Sequence, residues 1–250
     1  MRNLARNIIC GLGRGVGIAT KEQPITNANG DLSRQGRRHL NLIHFIVANV
    51  PNATTKTVLD VGCGQGWLTE RLYVAGFRKI AGCDCISENN LLKSVQSKLV
   101  YKQVDLDSDG LKDYENALFD LVIASDVFEH LENPAKMLRE CARVLVPGGH
   151  IFLTIPNMSN IFQRLEFLRT GNSSRYKSER VSEAHGHITM LTPWIFESLV
   201  DRAELAIVEV GRGFVWWKNH FWLVDRQFTT LYSYVSAYHL MRKFDLEHNK

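Results

Sequence analysis

The chain has 250 residues, 45% of them hydrophobic and 22% charged, which is enough to bury the core of one large globular domain. Its formal net charge of +4 permits an anionic substrate, but the chain lacks the basic blocks of a dedicated nucleic-acid-binding protein, so we expect no nucleic-acid partner. Its five cysteines form no Cys-x-x-Cys pair, which argues against zinc and disulfide frameworks and predicts a reduced, cytoplasmic compartment.

Residues 1–50 are predicted to form a basic N-terminal arm and a helical cap. The arm contains the glycine-rich stretch 11-GLGRGVG-17, which no apolar strand precedes. A glycine pattern indicates nucleotide binding only between a strand and a helix, so we assign this stretch no cofactor role. Arg14 and the glycines also interrupt the apolar run of a signal peptide, and we expect neither a cleaved leader nor a spanning helix.

From Thr57 to Asn157, short apolar runs alternate with longer amphipathic ones. This alternation predicts a doubly wound α/β sheet whose parallel strands are covered by helices on both faces. The predicted strands are 57-TVLDV-61, 79-KIAGCD-84, 99-LVYKQVD-105, 119-FDLVIAS-125 and 150-HIFLTIP-156. The predicted helices are 67-WLTERLYVAG-76, 87-SENNLLKSVQSK-98 and 133-NPAKMLRECARVL-145. In the last helix we expect Asn133 as the N-cap and the following PGG as the stop.

A second glycine-rich stretch, 62-GCGQG-66, follows the first predicted strand and opens the first predicted helix. Its backbone N–H groups and the helix dipole face the ligand site above the strand ends. Asp60, two residues before Gly62, places a carboxylate where an anionic pyrophosphate would be repelled and a cationic ligand attracted. The stretch therefore predicts a ligand with a sulfonium and an amino acid rather than a dinucleotide.

The residues 58-VLDVGCGQGWLT-69 resemble motif I of the class I S-adenosylmethionine-dependent methyltransferases, an acid followed by Gly-x-Gly-x-Gly. The resemblance covers about residues 57–157. It implies a Rossmann-like, mostly parallel seven-stranded sheet that ends in an antiparallel strand pair. The candidates for this pair are 205-LAIVEVG-211 and 213-GFVWW-217.

The same resemblance implies where S-adenosylmethionine is held. Asp84 matches the acid that accepts hydrogen bonds from the ribose hydroxyls. Asp105 matches the acid beside the adenine amino group, but Asp107 and Asp109 lie close by, and a register slip of two would put Asp107 there instead. The expected cofactor-binding residues are Asp60, Gly62, Cys63, Gly64, Gly66, Asp84, Cys85, Asp105, Leu106 and Ser125.

Methyl transfer needs an aligned acceptor and, for a hydroxyl acceptor, removal of its proton. A histidine, with an ordinary pKa of about 6.5, suits that role. His130, just after the fourth predicted strand, and His187 are the expected residues near the acceptor, with His185 as a further candidate.

Asp126, Glu129 and His130 stand at i, i+3 and i+4, where one helical turn could bring them to a cation. Ubiquinone-biosynthesis O-methyltransferases, which this segment resembles, carry an acid, acid, histidine set there, which implies a divalent ion that lowers the pKa of a phenolic hydroxyl. Two carboxylates and one histidine are few ligands, so we predict no resident metal. Acids near a helix dipole are the alternative interpretation.

The domain itself is predicted at residues 51–217, with a lid insertion at about 157–190 and an aromatic C-terminal extension at 218–250 that packs on it. Basic residues in the insertion favour an anionic acceptor, and 185-HGHITMLTP-193 resembles methyltransferases of polysaccharide and lipid-linked glycan synthesis. Peripheral membrane contact and a homodimer are alternative roles for the aromatic extension.

These features together predict transfer of a methyl group to a small-molecule or glycan acceptor, at oxygen in the first instance. A non-catalytic protein that binds the cofactor and acts as a partner or regulator is the alternative. A nicotinamide-dependent oxidoreductase is a third reading, disfavoured because GCGQG lacks the last glycine of Gly-x-Gly-x-x-Gly.

Overall fold

A computed structural model of the protein describes residues 34–173, 176, 186–213 and 235–248. Within these residues the strands are β1 (Thr57–Val61), β2 (Lys79–Asp84), β3 (Val100–Gln103), β4 (Phe119–Ser125), β5 (Leu145–Pro156), β6 (Leu205–Gly213) and β7 (Val235–Arg242). They form one seven-stranded sheet in the order β3-β2-β1-β4-β5-β7-β6. Strands β1 to β5 are parallel, whereas β7 pairs antiparallel with both β5 and β6. The predicted Rossmann-like sheet is confirmed.

Helices cover both faces of this sheet. The described part of the chain contains α1 (Arg34–Asn49), α2 (Trp67–Val74), α3 (Lys93–Gln96), α4 (Pro134–Val144), α5 (Ile161–Thr170), α6 (Pro193–Arg202) and α7 (Lys243–His248). Because side chains alternate along a strand, Val58 of β1 packs in a cluster with α1 and α2, whereas Leu59 packs with α4 and α6 on the other face. None of these described helices has both the length and the apolar character needed to cross a membrane.

The parallel register brings the carboxyl ends of the central strands to one edge of the sheet. Val61 of β1 lies beside Cys83 of β2 and Ala124 of β4. The glycine loop, residues 62–66, and the acid at the end of β2, Asp84, therefore emerge at the same edge, which is where ligands bind to open α/β sheets.

The antiparallel partner of β6 is β7, and not the expected strand 213-GFVWW-217, of which residues 214–217 lie outside the described part of the chain. Strand β7 comes from the predicted C-terminal extension, residues 218–250. The extension supplies a strand that lies between β5 and β6. The hydropathy pattern does not predict β7, because the buried positions of this strand include the polar residues Ser236 and His239.

The helix predicted at residues 87–98 is also interrupted. The structure has a 3-10 turn at Glu88–Asn90 and then only the short helix α3. The Leu92 N–H donates to the Gln65 carbonyl at 2.9 Å, so this segment is tied to the glycine loop. A tertiary hydrogen bond thus replaces the helical bond that local propensity favours.

Helix α4 has the predicted start. The Asn133 side chain accepts a hydrogen bond from the Lys136 N–H at 2.9 Å, and Pro134 occupies the first turn. The helix ends at Val144, before the predicted PGG stop, because the chain passes directly into β5.

Candidate active site

The glycine loop has a backbone that other residues adopt with difficulty. Gly62, Gly64 and Gly66 have φ values of +66°, +54° and +90°. A Cβ on Gly62 would lie 2.6 Å from a methyl group of Val127, and one on Gly66 would lie 2.8 Å from a methyl group of Val95. The loop is therefore fixed by its conformation and, at Gly62 and Gly66, by neighbours that leave no room for a side chain.

Asp60 is a buried acid beneath this loop, with 1% of its surface exposed. The Thr69 hydroxyl of α2 donates a hydrogen bond to its carboxylate at 2.7 Å. Burial, with a smaller contribution from the negative charge of Asp84, raises the pKa of Asp60 to about 7. A nearby cationic ligand would stabilise the ionised form, so this position fits a sulfonium or ammonium group.

Asp84 connects the end of β2 to the glycine loop. One carboxylate oxygen accepts a hydrogen bond from the Gly64 N–H at 2.8 Å, and the other accepts one from the Ile86 N–H at 3.3 Å. The side chain is only half-buried. It therefore combines a fixed orientation with acceptor capacity that can face ribose hydroxyls.

The cysteines at this edge are packing residues. Cys63 and Cys83 are buried, and burial raises the pKa of both thiols, that of Cys83 to about 12. Cys85 is half-buried, and its carbonyl accepts a hydrogen bond from the Gln103 side chain at 2.9 Å. The buried Cys63 and Cys83 thiols stay protonated and unreactive, so Cys63 can contribute to a ligand site through backbone and shape.

Asp105 and Asp107, the two candidates for the acid beside the adenine, accept hydrogen bonds from different segments of the chain. The Asp107 carboxylate accepts a hydrogen bond from the Glu132 N–H at 2.9 Å and so holds the segment before α4. The Asp105 carboxylate accepts one from the Asp107 N–H at 3.0 Å, and Leu106 packs partly buried against the core. Both carboxylates thus have backbone partners, and the assignment of Asp105 to the adenine stays a prediction.

Ser125 and Asp126 end β4 beside β5. The Ser125 hydroxyl lies 3.2 Å from the Thr154 hydroxyl, which donates a hydrogen bond to the Asp126 carboxylate at 3.0 Å. The Asp126 carboxylate also forms an ion pair with Arg38 of α1. Helix α1 is therefore joined directly to the ligand edge of the sheet.

The predicted grouping of Asp126 with Glu129 and His130 is wrong. Asp126 has φ +56°, and only Phe128–His130 form a 3-10 turn after it, so the helical i, i+3, i+4 geometry does not exist. Its partners are Arg38 and Thr154 instead.

A different cluster forms from Glu129, His130 and His187, whose ligand atoms all lie within 4.8 Å of one another. His187 Nε2 lies 3.9 Å from a Glu129 carboxylate oxygen, and the two imidazole rings meet edge to face at 4.8 Å. The structure thus brings together both histidines expected near the acceptor. His185 lies outside the described residues.

Backbone hydrogen bonds hold His187 against this cluster. The Ile188 and Thr189 N–H groups both donate to the Glu129 carbonyl, at 2.9 and 3.0 Å. His130 Nδ1 lies 3.1 Å from the Gly186 carbonyl, which can only accept, so Nδ1 carries the proton and Nε2 is the acceptor nitrogen of the neutral ring. Sequence reasoning missed Glu129 as the partner of His187 because the contact joins distant segments of the chain.

Comparison with known proteins agrees with this geometry. Residues 33–210 match a family model described as a methyltransferase domain. The ubiquinone biosynthesis O-methyltransferase of Dechloromonas aromatica is 34% identical over 108 residues, which are 41% of this chain and 45% of that protein. The corresponding enzyme of Shewanella halifaxensis is 29% identical over 153 residues, 60% of this chain and 63% of that protein. The chain thus matches about half the length of these relatives.

Solved structures show the same fold at low sequence identity. An S-adenosylmethionine-dependent methyltransferase from Mesorhizobium loti superposes with a TM-score of 0.54 at 19% identity, covering 80% of this chain and 96% of that one. Another, from Archaeoglobus fulgidus, has a TM-score of 0.56 at 16% identity, covering 82% and 93% of the two chains.

Proposed function

The chain belongs to the methyltransferase domain family, and from this we propose that it transfers a methyl group from S-adenosylmethionine to a small-molecule acceptor. The observation that carries the proposal is the buried acid Asp60 beneath a glycine loop that has no space for a side chain at Gly62 or Gly66. A buried carboxylate is stabilised by a cation and disfavours a pyrophosphate.

The residues at the ligand edge fit the cofactor. The glycine loop and Asp60 would hold its methionine part, Asp84 its ribose, and Asp105 with Leu106 its adenine. When bound, S-adenosylmethionine supplies a methyl group already activated by the positive sulfur, so the protein's contribution is alignment and removal of a proton from the acceptor.

His130 and His187 are the proposed proton acceptors for an oxygen acceptor. Nε2 of His130 is the acceptor nitrogen of the neutral ring because Nδ1 donates to the Gly186 carbonyl. His187 lies against the carboxylate of Glu129, which would stabilise its imidazolium after proton uptake. The two relatives described above, both ubiquinone biosynthesis O-methyltransferases, support oxygen as the accepting atom.

A divalent cation at the same cluster is a second candidate for activating the acceptor hydroxyl. Glu129, His130 and His187 offer one carboxylate and two imidazole ligands, a set that suits transition-metal ions better than Mg²⁺. The expected result is a bound metal in the purified protein that is lost in Glu129→Gln while S-adenosylmethionine binding is retained. Elemental analysis of both proteins tests this expectation. Absence of metal from both would reject the metal as a candidate.

The finer properties of the acceptor remain proposals. An anionic or lipid-linked glycan acceptor is supported by the exposed Arg164 and Arg169 of α5 and by the resemblance of residues 185–193. The other basic residues of the predicted lid, Arg175, Lys177 and Arg180, lie outside the described residues. A cytoplasmic location and a homodimer also stay predictions.

Titration calorimetry tests the function directly. The full chain is titrated with S-adenosylmethionine and S-adenosylhomocysteine, with NAD as the control ligand. We expect the first two ligands to bind at micromolar concentrations and NAD not to bind. An oxidoreductase would show the opposite result, with NAD bound and the other two ligands not. Binding without any methylated product across phenols and sugar phosphates would favour the non-catalytic alternative.

A further inference from the structure

The backbone directly after β2 carries the acid that is expected to face the ribose. Asp84 is the last residue of β2, and its pairing with Gln103 is the last of the β2–β3 ladder. The carbonyls of Cys85 and Ile86 lie beyond that ladder, so donors other than a neighbouring strand must satisfy them. The orientation of the Asp84 carboxylate depends on how this backbone is held.

Two side chains of β3 supply these donors. Tyr101 and Gln103 are two residues apart and therefore lie on the same face of the strand. The Tyr101 hydroxyl lies 2.6 Å from the Ile86 carbonyl and 3.0 Å from the Asp84 carbonyl, so its single proton is shared between two acceptors. The Gln103 amide donates to the Cys85 carbonyl at 2.9 Å. The carbonyls of three successive residues thus face donors from β3.

These contacts act on the peptide planes beside the Asp84 carboxylate. The plane that contains the Cys85 carbonyl also contains the Ile86 N–H, which donates to one carboxylate oxygen at 3.3 Å. Tyr101 holds the planes on either side of it, through the Asp84 and Ile86 carbonyls. The Gly64 N–H donates to the other carboxylate oxygen at 2.8 Å. A change in any of these planes would move the carboxylate relative to the glycine loop.

The Tyr101 hydroxyl is a stable donor. Its ring is half-buried and packs against the hydrophobic cluster of α1 and α2. Burial, and then the negative charge of Asp84, raise the pKa of the hydroxyl above its ordinary value of 10. The group therefore stays protonated at neutral pH, while the packed ring fixes its position.

Asp84 keeps acceptor capacity for a pair of ribose hydroxyls. Each carboxylate oxygen has two lone pairs, and among the described residues each receives one backbone N–H. Hydrogen bonds to a charged acceptor are stronger than neutral ones, and they weaken steeply when their angle is poor. A misplaced carboxylate would therefore lose the ribose contacts before the other contacts of the cofactor.

From these observations we infer that Tyr101 is a positioning residue that orients Asp84 and so sets the preference of the site for a ligand with both ribose hydroxyls. The inference rests on the proposed function, because it takes S-adenosylmethionine as the ligand. Tyr101 acts through Asp84 and needs no contact with the cofactor.

Calorimetry on the full chain tests the inference, with S-adenosylhomocysteine and its analogue that lacks the 2′-hydroxyl as ligands. Wild type should bind the ribosyl ligand about tenfold more tightly, which is the ordinary effect of one hydrogen bond to a charged group. Tyr101→Phe keeps the ring and removes the hydroxyl. It should reduce the preference to about threefold, because the ribosyl ligand loses more affinity than the deoxy ligand.

Tyr114→Phe is the matched control. The Tyr114 hydroxyl lies 3.3 Å from the Gly82 carbonyl, which is within β2 and two residues before Asp84. This variant also loses a hydroxyl bound to β2, but not one that holds the backbone after the strand, so it should keep the tenfold preference. Circular dichroism confirms folding of each variant.

Gln103→Leu is a second test variant. Its amide is exposed, so water can partly replace it as the donor to Cys85. The preference for the ribosyl ligand should therefore fall by only about twofold.

A double-mutant cycle shows whether Tyr101 acts through Asp84. Tyr101→Phe should weaken S-adenosylhomocysteine binding by about threefold in the wild-type background. In the Asp84→Asn background it should cause no further loss, because the carboxylate that it orients is absent.

Several outcomes would overturn the inference. They are no preference for the ribosyl ligand in wild type, equal losses for both ligands in Tyr101→Phe, the same change in Tyr114→Phe, or additive losses in the cycle. Absence of S-adenosylhomocysteine binding by wild type would refute the proposed function and the inference with it. Wild-type binding with an unchanged preference in Tyr101→Phe would refute the inference alone.

Discussion

The ligand edge of the sheet has two halves that are built in different ways. On the cofactor side, the chain itself forms the site, through three left-handed glycines at alternate positions and the acids at the ends of β1 and β2. On the acceptor side, side chains from distant segments meet, as when His130 contacts Gly186 at a separation of 56 residues. The first half is fixed by backbone geometry, whereas the second depends on how a separate segment packs.

This difference has a functional meaning. A site made of backbone groups binds a constant ligand and tolerates few substitutions. A site made of side chains on a docked segment can change its acceptor without changing the sheet, because loops carry specificity on a rigid scaffold. Variants in the two halves should therefore separate cofactor affinity from the rate of methyl transfer.

The largest expected effect is on the acceptor side. His187→Gln should lower the rate of methyl transfer by about 100-fold, which is the ordinary contribution of a general base, and leave affinity for S-adenosylmethionine unchanged. His44→Gln, at an exposed position of α1, is the control. Single-turnover experiments measure the rate of methyl transfer of both variants, and calorimetry measures their affinity for S-adenosylmethionine. An unchanged rate in His187→Gln would show that His187 is not the general base.

A smaller effect, on cofactor affinity, is expected in the glycine loop. Gly62→Ala should weaken binding of S-adenosylmethionine by about tenfold or more, since its Cβ would meet Val127 and its left-handed backbone disfavours a side chain. Gly148→Ala is matched in conformation, with φ +73°, but has open space at the Cβ position. Equal losses in both variants, measured by calorimetry, would show that conformational strain and not the shape of the site is responsible.

The pH dependence of cofactor binding tests the role of Asp60. Its pKa is raised to about 7, so the carboxyl group is mostly protonated below that pH and ionised above it. A cationic ligand prefers the ionised form, so affinity should fall up to about tenfold per pH unit as the pH drops below 7. Asp60→Asn should bind more weakly at pH 8 and lose this dependence. A flat wild-type profile between pH 6 and 8 would contradict the assignment.

The smallest effect on activity is expected from a histidine that lies outside both the cofactor side and the acceptor side of the ligand edge. His239 of β7 is buried, stacks on Phe152 at 4.5 Å and lies 2.8 Å from His150. Burial, and then the charge of His150, lower the pKa of His239 from 6.5 to about 4. The unfolded chain binds a proton at higher pH than the folded one, so the free energy of unfolding should fall as pH decreases from about 6.5 toward 4.

Urea unfolding at several pH values measures this loss. His239→Gln should flatten the stability profile between pH 6.5 and 4 and leave cofactor affinity and the transfer rate at neutral pH unchanged. A wild-type profile as flat as that of the variant would show that the histidine pair does not titrate in this range.

The sequence alone determined the parts of the protein whose residues are close together in the chain. The order of strands and helices up to β5, the glycine loop between β1 and α2, and the N-cap Asn133 follow from local patterns of hydropathy, glycine and capping residues. The edge of the sheet at which Asp60 and Asp84 meet follows from parallel strand order, because parallel strands end on the same side.

Only the tertiary structure decided the rest. It placed β7 in the sheet, although the buried polar residues Ser236 and His239 interrupt its apolar pattern. It also paired Asp126 with Arg38, and it brought His187 next to Glu129. It also turned the apolar residues of α5 outward. In each case the deciding interaction joins groups far apart in the chain. Local periodicity records which residues could be buried, but not the partner that each one finds.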